Sequence, residues 1–437
     1  MEWWLILLFI FGGLFILMAS GMPVAFGFVF LNIVGVIIFW GGEIGLRQLG
    51  LSIYDSLTTF ALLPLPLFIL MGEMMFQSGM GFRMLDVMDK WMGRLPGRLS
   101  LLSVGGGIML SMLSGVSLAS AAILGSTLTP EMERRGYKKP MSLGPIMGSG
   151  ALATMIPPSG LGVILGALAH ISIASLLISG IIPGLLMALL YGTYIILRCH
   201  FQPSIAPSYR VPSVPLSEKI IGTIKYVLPL GLIIFLVTGL IFVGIASPSE
   251  AAATGTLGTF ILAACYRSLN WEIVKKAVGT AVNTTVMILM IIAGATAFSQ
   301  ILAFSGATSG LVELVGGLRV APLLILIVMQ IIILALGTSM ELVSIMMISL
   351  PIFMPIVSSV GFNPVWFGII MLLNLEMGAA SPPFGLMLFV MKGVAPPDTT
   401  MGDIYRAALP FLGMDLIVMM LIIAFPSLAL WLPGMMR

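Results

Sequence analysis

The segment LSLLSVGGGIMLSMLSGVSLASAAILGSTLT (residues 99–129) contains no charged residue, although basic loops lie on both sides of it. The basic residues are Arg83, Lys90, Arg94 and Arg98 before it, and Arg134, Arg135, Lys138 and Lys139 after it. Short loops rich in Lys and Arg collect on the cytoplasmic side of a membrane, so both loops are predicted inside. Two crossings need roughly 40 apolar residues, more than this segment has. We therefore predict a re-entrant helical hairpin that turns at 114–117. Non-helical backbone at membrane depth must be surrounded by protein or a water-filled cavity, so the turn is a candidate binding site.

The composition excludes a soluble or disordered chain. Of 437 residues, 59% are hydrophobic and 8% are charged, which requires many membrane spans. The net charge of +3 comes from basic residues in loops beside acids, which fits membrane topology and not a nucleic-acid surface. Cys199 and Cys265 form no disulfide framework and no metal spacing. The N-terminus has no basic region followed by a cleavage site, so it is expected to be a retained span.

Most of the chain is predicted to alternate between apolar spans and short polar links. The predicted ordinary spans are residues 3–18, 24–40, 57–76, 171–197, 220–243, 251–266, 278–304 and 408–432. A polar link containing Glu43, Arg47 and Asp55 precedes the third span. Residues 79–97 carry apolar side chains at helical spacing with charges between them, which predicts an amphipathic helix in the cytoplasmic interface.

The order hairpin, discontinuous helix, final span occurs twice. The segments GSGALATMIPPSG (148–160) and MGAASPPFG (377–385) each place two prolines inside a long apolar run, which breaks a helix. The proline pairs begin at 157 and 382, and the hairpin breaks fall at 114 and 337, so their offsets are 225 and 223. Five crossings per half put the second copy upside down. Residues 320–362 are long enough for two true crossings, so the prediction of a second hairpin depends on this repeat.

We therefore expect an all-α polytopic membrane protein, an inverted repeat with about ten crossings, two re-entrant helical hairpins and both termini outside. The first repeat consists of a scaffold (1–78), an amphipathic arm helix (79–98) and a unit of hairpin, discontinuous helix and last span (99–197). A cytoplasmic linker (198–219) leads to the second scaffold (220–304) and the second arm, hairpin, discontinuous helix and last span (305–437).

Inverted repeats with paired broken helices are the architecture of secondary transporters, whose site lies at the midplane. Unwound backbone exposes carbonyls that can replace the hydration shell of a small cation, and half-helix N-termini attract an anionic substrate. Hydroxyls and carbonyls suit Na⁺. The same small residues also serve close helix packing, and each serine taken alone fits either role.

Three sets of residues follow from this geometry. The first predicted Na⁺ site comprises Ser114, Gly115, Ser117, Gly148, Ser149, Gly150 and Thr154. The second comprises Gly337, Thr338, Ser339, Gly378, Ala379 and Ser381. The predicted vicinity of the substrate comprises Ser117, Thr154, Pro157, Pro158, Ser159, Glu341, Pro382 and Pro383.

Carboxylates at membrane depth are functional candidates by default. Glu73 and Asp415 lie outside the breaks, so structural partnering or contact with another subunit is the favoured role. Glu341 stays a site candidate because it lies just past the second tip, whereas Glu376 precedes the second break and could cap a half-helix. Glu250 follows Ser-Pro-Ser, which predicts a capping box.

Four separated motifs resemble one known family. Residues 95–137, GSGALATMIPPSG, SPSEAAATG (247–255) and SPPFG (381–385) are similar to the large membrane (M) subunit of tripartite ATP-independent periplasmic (TRAP) transporters. The resemblance implies an ion transporter superfamily fold that works as an elevator in the bacterial inner membrane. It implies Na⁺-driven import of organic acids such as C4-dicarboxylates, keto acids or sialic acids, with no other cofactor and no enzymatic activity. The two Na⁺ sites of the family fall on the sets above.

The resemblance also implies two protein partners, a periplasmic substrate-binding protein and a small four-helix membrane subunit. Nothing before Trp3 could be that subunit, so a separate chain is expected. Ala379 and Ala380 depart from the family pattern, and the second cation would depend on carbonyls and Thr338. A stand-alone anion transporter of the same fold, without a binding protein, remains the alternative. A membrane enzyme would need clustered His, Asp or Cys, and the chain has two distant histidines.

Overall fold

The computed structural model describes residues 2–93, 95–114, 117–207, 214–317 and 320–436, and within these ranges the regular structure is helical. The helices of the first half are α1 (Trp3–Ala19), α2 (Val24–Phe39), α3 (Glu43–Thr58), α4 (Pro64–Gln77), α5 (Met80–Met92), α6 (Arg98–Ser114), α7 (Ser117–Arg134), α8 (Lys139–Met155), α9 (Gly160–Leu168), α10 (Ile173–Ser179) and α11 (Ile181–Phe201). Those of the second half are α12 (Leu216–Gly222), α13 (Leu228–Phe242), α14 (Pro248–Cys265), α15 (Trp271–Phe304), α16 (Ala307–Gly317), α17 (Pro322–Gly337), α18 (Leu342–Val360), α19 (Pro364–Ala379), α20 (Leu386–Val394), α21 (Met401–Ala424) and α22 (Ser427–Gly434).

Several of these helices are long and apolar enough to cross a membrane. When consecutive helical elements are joined, these runs in the described ranges are Phe60–Gln77, Ile173–Phe201, Leu216–Phe242, Trp271–Phe304, Leu342–Val360 and Met401–Ala424. The pair α8 and α9, bent by 46°, gives one more. Apolar helices of 10–17 residues, among them α1, α2 and α19, are shorter than a full crossing needs. The chain is thus a multi-pass membrane protein, and the count of about ten crossings stays a prediction.

The start of helix α6 and the end of helix α7 lie on the same side of the molecule. The backbone N–H of Leu99, at the start of α6, donates to the Tyr137 hydroxyl just after α7 at 3.4 Å. The Arg98 guanidinium binds both carboxylate oxygens of Asp89 in α5. The tip residues 115 and 116 lie outside the described ranges. The paired ends are what the predicted hairpin requires.

Both predicted breaks interrupt their helices at the proline pairs. Between α8 and α9 the Ser159 side chain caps α9 by accepting from the Gly162 N–H at 3.1 Å. Between α19 and α20 the chain is non-helical from residue 381 to 385. The Pro157–Pro158 and Pro382–Pro383 peptide bonds are both cis.

The two discontinuous helices run in opposite directions beside each other. On one face Lys139, which begins α8, forms an ion pair of 3.0 Å with Asp398, which follows α20. On the other face Gly368, near the start of α19, packs on Leu165 of α9 and Leu176 of α10. The N-terminal end of one broken helix therefore shares a face with the C-terminal end of the other, as the inverted repeat predicts.

Several predicted bounds were wrong, including the start of α15, which lies at Trp271 instead of residue 278. Residues 43–58 form helix α3 instead of a polar link. The next α-helix begins at Pro64 instead of residue 57, after a short 3₁₀ helix at Phe60–Leu62, because proline at the first helical position favours a start there. The last long helix is Met401–Ala424 instead of 408–432, because Thr400 and Asp403 form a capping box. The capping box predicted at Ser247 and Glu250 is confirmed.

The two scaffold halves interlock and carry the first arm helix. The 34-residue helix α15 packs along α2, where the Asn32 side chain donates to the Gly294 carbonyl at 2.7 Å. Helix α5 is held to the start of the second scaffold, since Lys90 pairs with Glu218 at 3.1 Å. The linkage from α5 to α6 contains Gly93 and Gly97, both with positive φ.

Candidate functional site

The first hairpin meets the first broken helix at a buried polar cluster. Gly150 and Thr154 lie four residues apart on one face of α8 and point toward Ser117, the first residue of α7. The Glu376 side chain reaches this point from α19: its Oε1 accepts from Ser117 Oγ at 2.9 Å and from Thr154 Oγ1 at 2.5 Å. Ser117, Thr154 and Glu376 are 4%, 6% and 2% exposed. Oxygen atoms of hydroxyls and a carboxylate are the ligands that a hard cation prefers.

Two other members of the first set face elsewhere. Gly148 lies against α11 and α21, since an added Cβ would be 2.5 Å from the Phe411 ring. Ser149 faces Gly107 of α6 and donates its hydroxyl to the Ile146 carbonyl of its own helix at 2.6 Å. Packing is therefore what the structure assigns to both residues. The Ser114 side chain and Gly115 lie outside what the structure describes.

The second hairpin also meets the second break, through backbone. A Cβ on Gly337 would be 2.6 Å from Gly378 Cα, and one on Gly378 would be 2.7 Å from Gly337 Cα. The carbonyl oxygens of Ala379 and Ser381 converge on Gly385, at 2.4 and 2.7 Å from where its Cβ would lie. Backbone oxygen atoms are therefore concentrated at this point.

The hydroxyls of the second set are bonded within their own segments. Thr338 donates to the Ala335 carbonyl at 2.8 Å, Ser339 to Leu336 at 3.3 Å and Ser381 to Met377 at 2.7 Å. Their remaining lone pairs are free to accept or coordinate. Unlike the first cluster, this site reaches the surface, since Ser339 is exposed and Thr338 is half-buried.

The predicted substrate residues divide between buried and exposed positions. Pro157, Pro158 and Ser159 are buried, whereas Pro382 is half-buried and Pro383 is exposed. Glu341, also in that set, is an exposed N-cap: its carboxylate accepts from the Ser344 N–H at 3.1 Å, so it stabilises the start of α18.

The remaining acids at membrane depth have structural partners. The Tyr191 hydroxyl of α11 donates to the buried Asp415 carboxylate of α21, and the two residues are 224 positions apart, close to the repeat offset. Glu73 accepts from Gln77 one turn later at 3.3 Å. Glu376 is a candidate site residue that the three predicted sets did not include. It does not cap a half-helix. Its position in an uncharged run immediately before a predicted break was the available signal.

A cavity of about 1160 Å³ separates the scaffold from the body that holds both breaks. Its walls are α3, α4, α14 and α15 on one side, and α9, α10 and α18 on the other. Its charged or titratable lining residues, within the described ranges, are Asp55, His170 and Glu250. None of the described residues in the three predicted sets lines it.

Comparisons with known proteins agree on one family. The family model of the tripartite ATP-independent periplasmic transporter, DctM component, matches residues 11–428. The C4-dicarboxylate TRAP transporter large permease protein DctM of Pseudomonas aeruginosa is 32% identical over 391 residues, 89% of this chain and 90% of that protein. The isethionate TRAP transporter permease protein DctMQ of Oleidesulfovibrio alaskensis is 29% identical over 97% of this chain and 66% of its own length. The structure of the Alcanivorax borkumensis YdaH transporter shares the fold, with a TM-score of 0.62 and 14% identity over 95% of this chain and 99% of that one.

Proposed function

Because the chain belongs to the DctM component family of TRAP transporters, we propose that it is the membrane-embedded transport subunit of a Na⁺-coupled importer of small organic acids. The importer would depend on a periplasmic substrate-binding protein and lie in the bacterial inner membrane with both termini outside. The observation that carries the proposal is the buried contact of Ser117 and Thr154 with Glu376, where a hairpin end meets a broken helix. Such junctions at the repeat interface hold substrate and coupling ions in secondary transporters.

The substrate class is a carboxylate-bearing acid. The Pseudomonas aeruginosa relative is a C4-dicarboxylate permease, and the matched chain covers nine-tenths of it. A cation held at each break would supply positive charge for an anionic substrate at the breaks, where this chain places no Lys or Arg among the predicted site residues. The acid would therefore bind beside Pro157 and Pro382, with the two cations.

Transport would proceed by an elevator movement. The body of hairpins and broken helices would slide against the scaffold, and the cavity of about 1160 Å³ between them gives it room. Helix α5 would stay with the scaffold, because Lys90 pairs with Glu218 and Trp91 Nε1 donates to Thr223 Oγ1 at 2.7 Å. The glycines at 93 and 97 then supply the flexible joint to α6.

The proposed partners are a binding protein and a small four-helix membrane subunit. The relative DctMQ of Oleidesulfovibrio alaskensis is longer than this chain, which aligns to 66% of it. We propose a separate chain for the small subunit here. The alternative, a stand-alone transporter of the same fold, would need no binding protein.

Reconstitution tests these statements separately. The chain and its small subunit are placed in liposomes, candidate binding proteins with bound ligand are added, and an inward Na⁺ gradient is imposed. We expect uptake that requires both the binding protein and the gradient. Uptake that survives collapse of the gradient would refute Na⁺ coupling, and uptake by this chain alone would favour the stand-alone alternative.

A pair of serine variants on α7 connects uptake to the site. Ser117→Ala removes a hydroxyl at the first cluster and should weaken the Na⁺ dependence of uptake. Ser126→Ala is the matched control, because that exposed hydroxyl donates to the Ile123 carbonyl of its own helix at 3.0 Å. Equal Na⁺ dependence in the two variants would count against the first site.

A further inference from the structure

Glu376 belongs to the second repeat, but its carboxylate lies in the first repeat's site. It stands in the last turn of α19, and its Oε1 accepts from residues of α7 and α8. It is 2% exposed, and among the residues that the structure describes no Lys, Arg or His lies within ion-pair distance of it. A buried carboxylate is costly unless its charge is balanced, and two neutral hydroxyls balance it in part.

The two hydroxyls are oriented in a way that suits a cation. The hydroxyl groups of Ser117 and Thr154 each donate their only hydrogen to Glu376 Oε1. The lone pairs of the two hydroxyl oxygens are therefore directed away from the carboxylate. Gly150 lies beside the other carboxylate oxygen and leaves no room for a side chain: a Cβ there would be 3.9 Å from Oε2, 3.3 Å from the Ser117 Cβ and 2.8 Å from the Met387 Cε. Three oxygen-bearing side chains therefore meet at one buried point, beside the backbone of Gly150.

The charge has no counterpart in the first repeat. By the offset of 225 between the proline pairs, the position equivalent to Glu376 is Ala151. Glu376 also lies two residues before Gly378, whose backbone contacts Gly337 at the second hairpin tip. The same short stretch of α19 thus touches the first site by its side chain and the second site by its backbone.

We propose that Glu376 is the anionic ligand of the first cation site, so that a Na⁺ bound by Ser117 and Thr154 is neutralised by a carboxylate of the opposite repeat. This inference rests on the proposed Na⁺ coupling and adds a consequence to it. Occupation of the first site fixes the end of α19, and through Gly378 it fixes the backbone against which the second hairpin closes. The two sites would then bind Na⁺ with positive cooperativity.

The test is Na⁺ affinity, measured on the purified full chain in detergent as the Na⁺ concentration that half-saturates thermal stabilisation, with choline as the replacement cation. Glu376→Gln keeps the shape and removes the charge, and we expect a half-saturating Na⁺ concentration at least about tenfold higher. Glu376→Asp keeps the charge on a shorter side chain and should give an intermediate value. Glu73→Gln is the matched control, a half-buried acid of α4 bonded to Gln77 outside the site, and should leave Na⁺ affinity unchanged.

The outcomes separate this inference from the function on which it rests. A wild-type chain that Na⁺ does not stabilise would refute the proposed coupling. A wild-type chain that Na⁺ stabilises, with equal affinity in Glu376→Gln, would overturn the role of Glu376 and leave the coupling standing. If neither variant folds, infrared difference spectra of the wild type decide. Na⁺ should shift a carboxylate band that moves on ¹³C-glutamate labelling, and a glutamate spectrum unaffected by Na⁺ would overturn the inference.

Discussion

The contact between Gly337 and Gly378 gives a sharp test of the idea that a hairpin tip closes on a broken helix. In Gly378→Ala the new Cβ would lie 2.7 Å from Gly337 Cα and 3.5 Å from the Leu334 carbonyl oxygen. Carbon atoms pack at about 3.5–4.0 Å, so the end of α17 must retreat by roughly 1 Å. Both groups are backbone, and no side-chain rotation can relieve the overlap.

The magnitude follows from a matched substitution. Gly413 lies inside α21 with nothing within 4 Å of its added Cβ, so Gly413→Ala makes the same chemical change in open space. Replacing a helical glycine by alanine stabilises by roughly 0.5–1 kcal/mol, and this gain is common to both variants. Their difference isolates the overlap, which should cost about 1–3 kcal/mol.

Thermal unfolding in detergent, with and without Na⁺, measures both consequences. Gly378→Ala should unfold at a lower temperature than Gly413→Ala, and its Na⁺ affinity should fall roughly 10- to 100-fold, the usual effect of moving the groups that support a metal ligand. Two variants with the same unfolding temperature and the same Na⁺ affinity would refute the claim that this backbone contact forms part of a cation site.

Two further predictions concern contacts outside the site. Tyr191→Phe leaves the Asp415 carboxylate buried without its hydroxyl donor and should destabilise the chain by about 1–3 kcal/mol in thermal unfolding, whereas Tyr194→Phe should have little effect. The second concerns pH: the hydrogen bond from Lys139 holds the pKa of Asp398 below its ordinary value, so this contact stabilises above roughly pH 4 and is lost as pH falls through the lowered pKa. The gap in unfolding temperature between wild type and Asp398→Asn should therefore close on acidification, and a gap that stays constant down to pH 3 would contradict this reasoning.

Local signals in the sequence were sufficient for the breaks and caps. Two adjacent prolines cannot continue a helix, so the ends of α8 and α19 could be placed from the sequence. The capping box at Ser247 needs only four consecutive residues, and it forms as predicted. The short uncharged run between two basic loops was likewise enough to predict paired hairpin ends, which the Leu99–Tyr137 contact brings together.

The orientation of α8 could not be predicted, because every residue from Met141 to Met155 is buried. In such a helix polarity does not distinguish one face from another, and successive residues point about 100° apart. Gly148, Ser149 and Gly150 therefore face three different neighbours, although the sequence places them in one motif. The partner of Glu376 was hidden for a related reason: Thr154 lies 222 positions away, and the contact depends on how the two repeats pack.

The two repeats have the same order of helices and breaks, but they differ in the side chains at equivalent positions. In the first repeat Gly107 meets Ser149, which lets α6 and α8 approach closely. The positions 223 and 225 later are Gln330 and Asn374, and there the Asn374 amide donates to the Gln330 side chain at 2.9 Å, filling the same helix contact with a buried polar pair. The same divergence separates the proposed cation sites, because the first has hydroxyls and the carboxylate of Glu376, whereas the second concentrates backbone carbonyls near the surface. A buried site with a negative charge should bind Na⁺ more tightly than a half-exposed one without it, so the order of binding would be set by side chains that the duplication did not preserve.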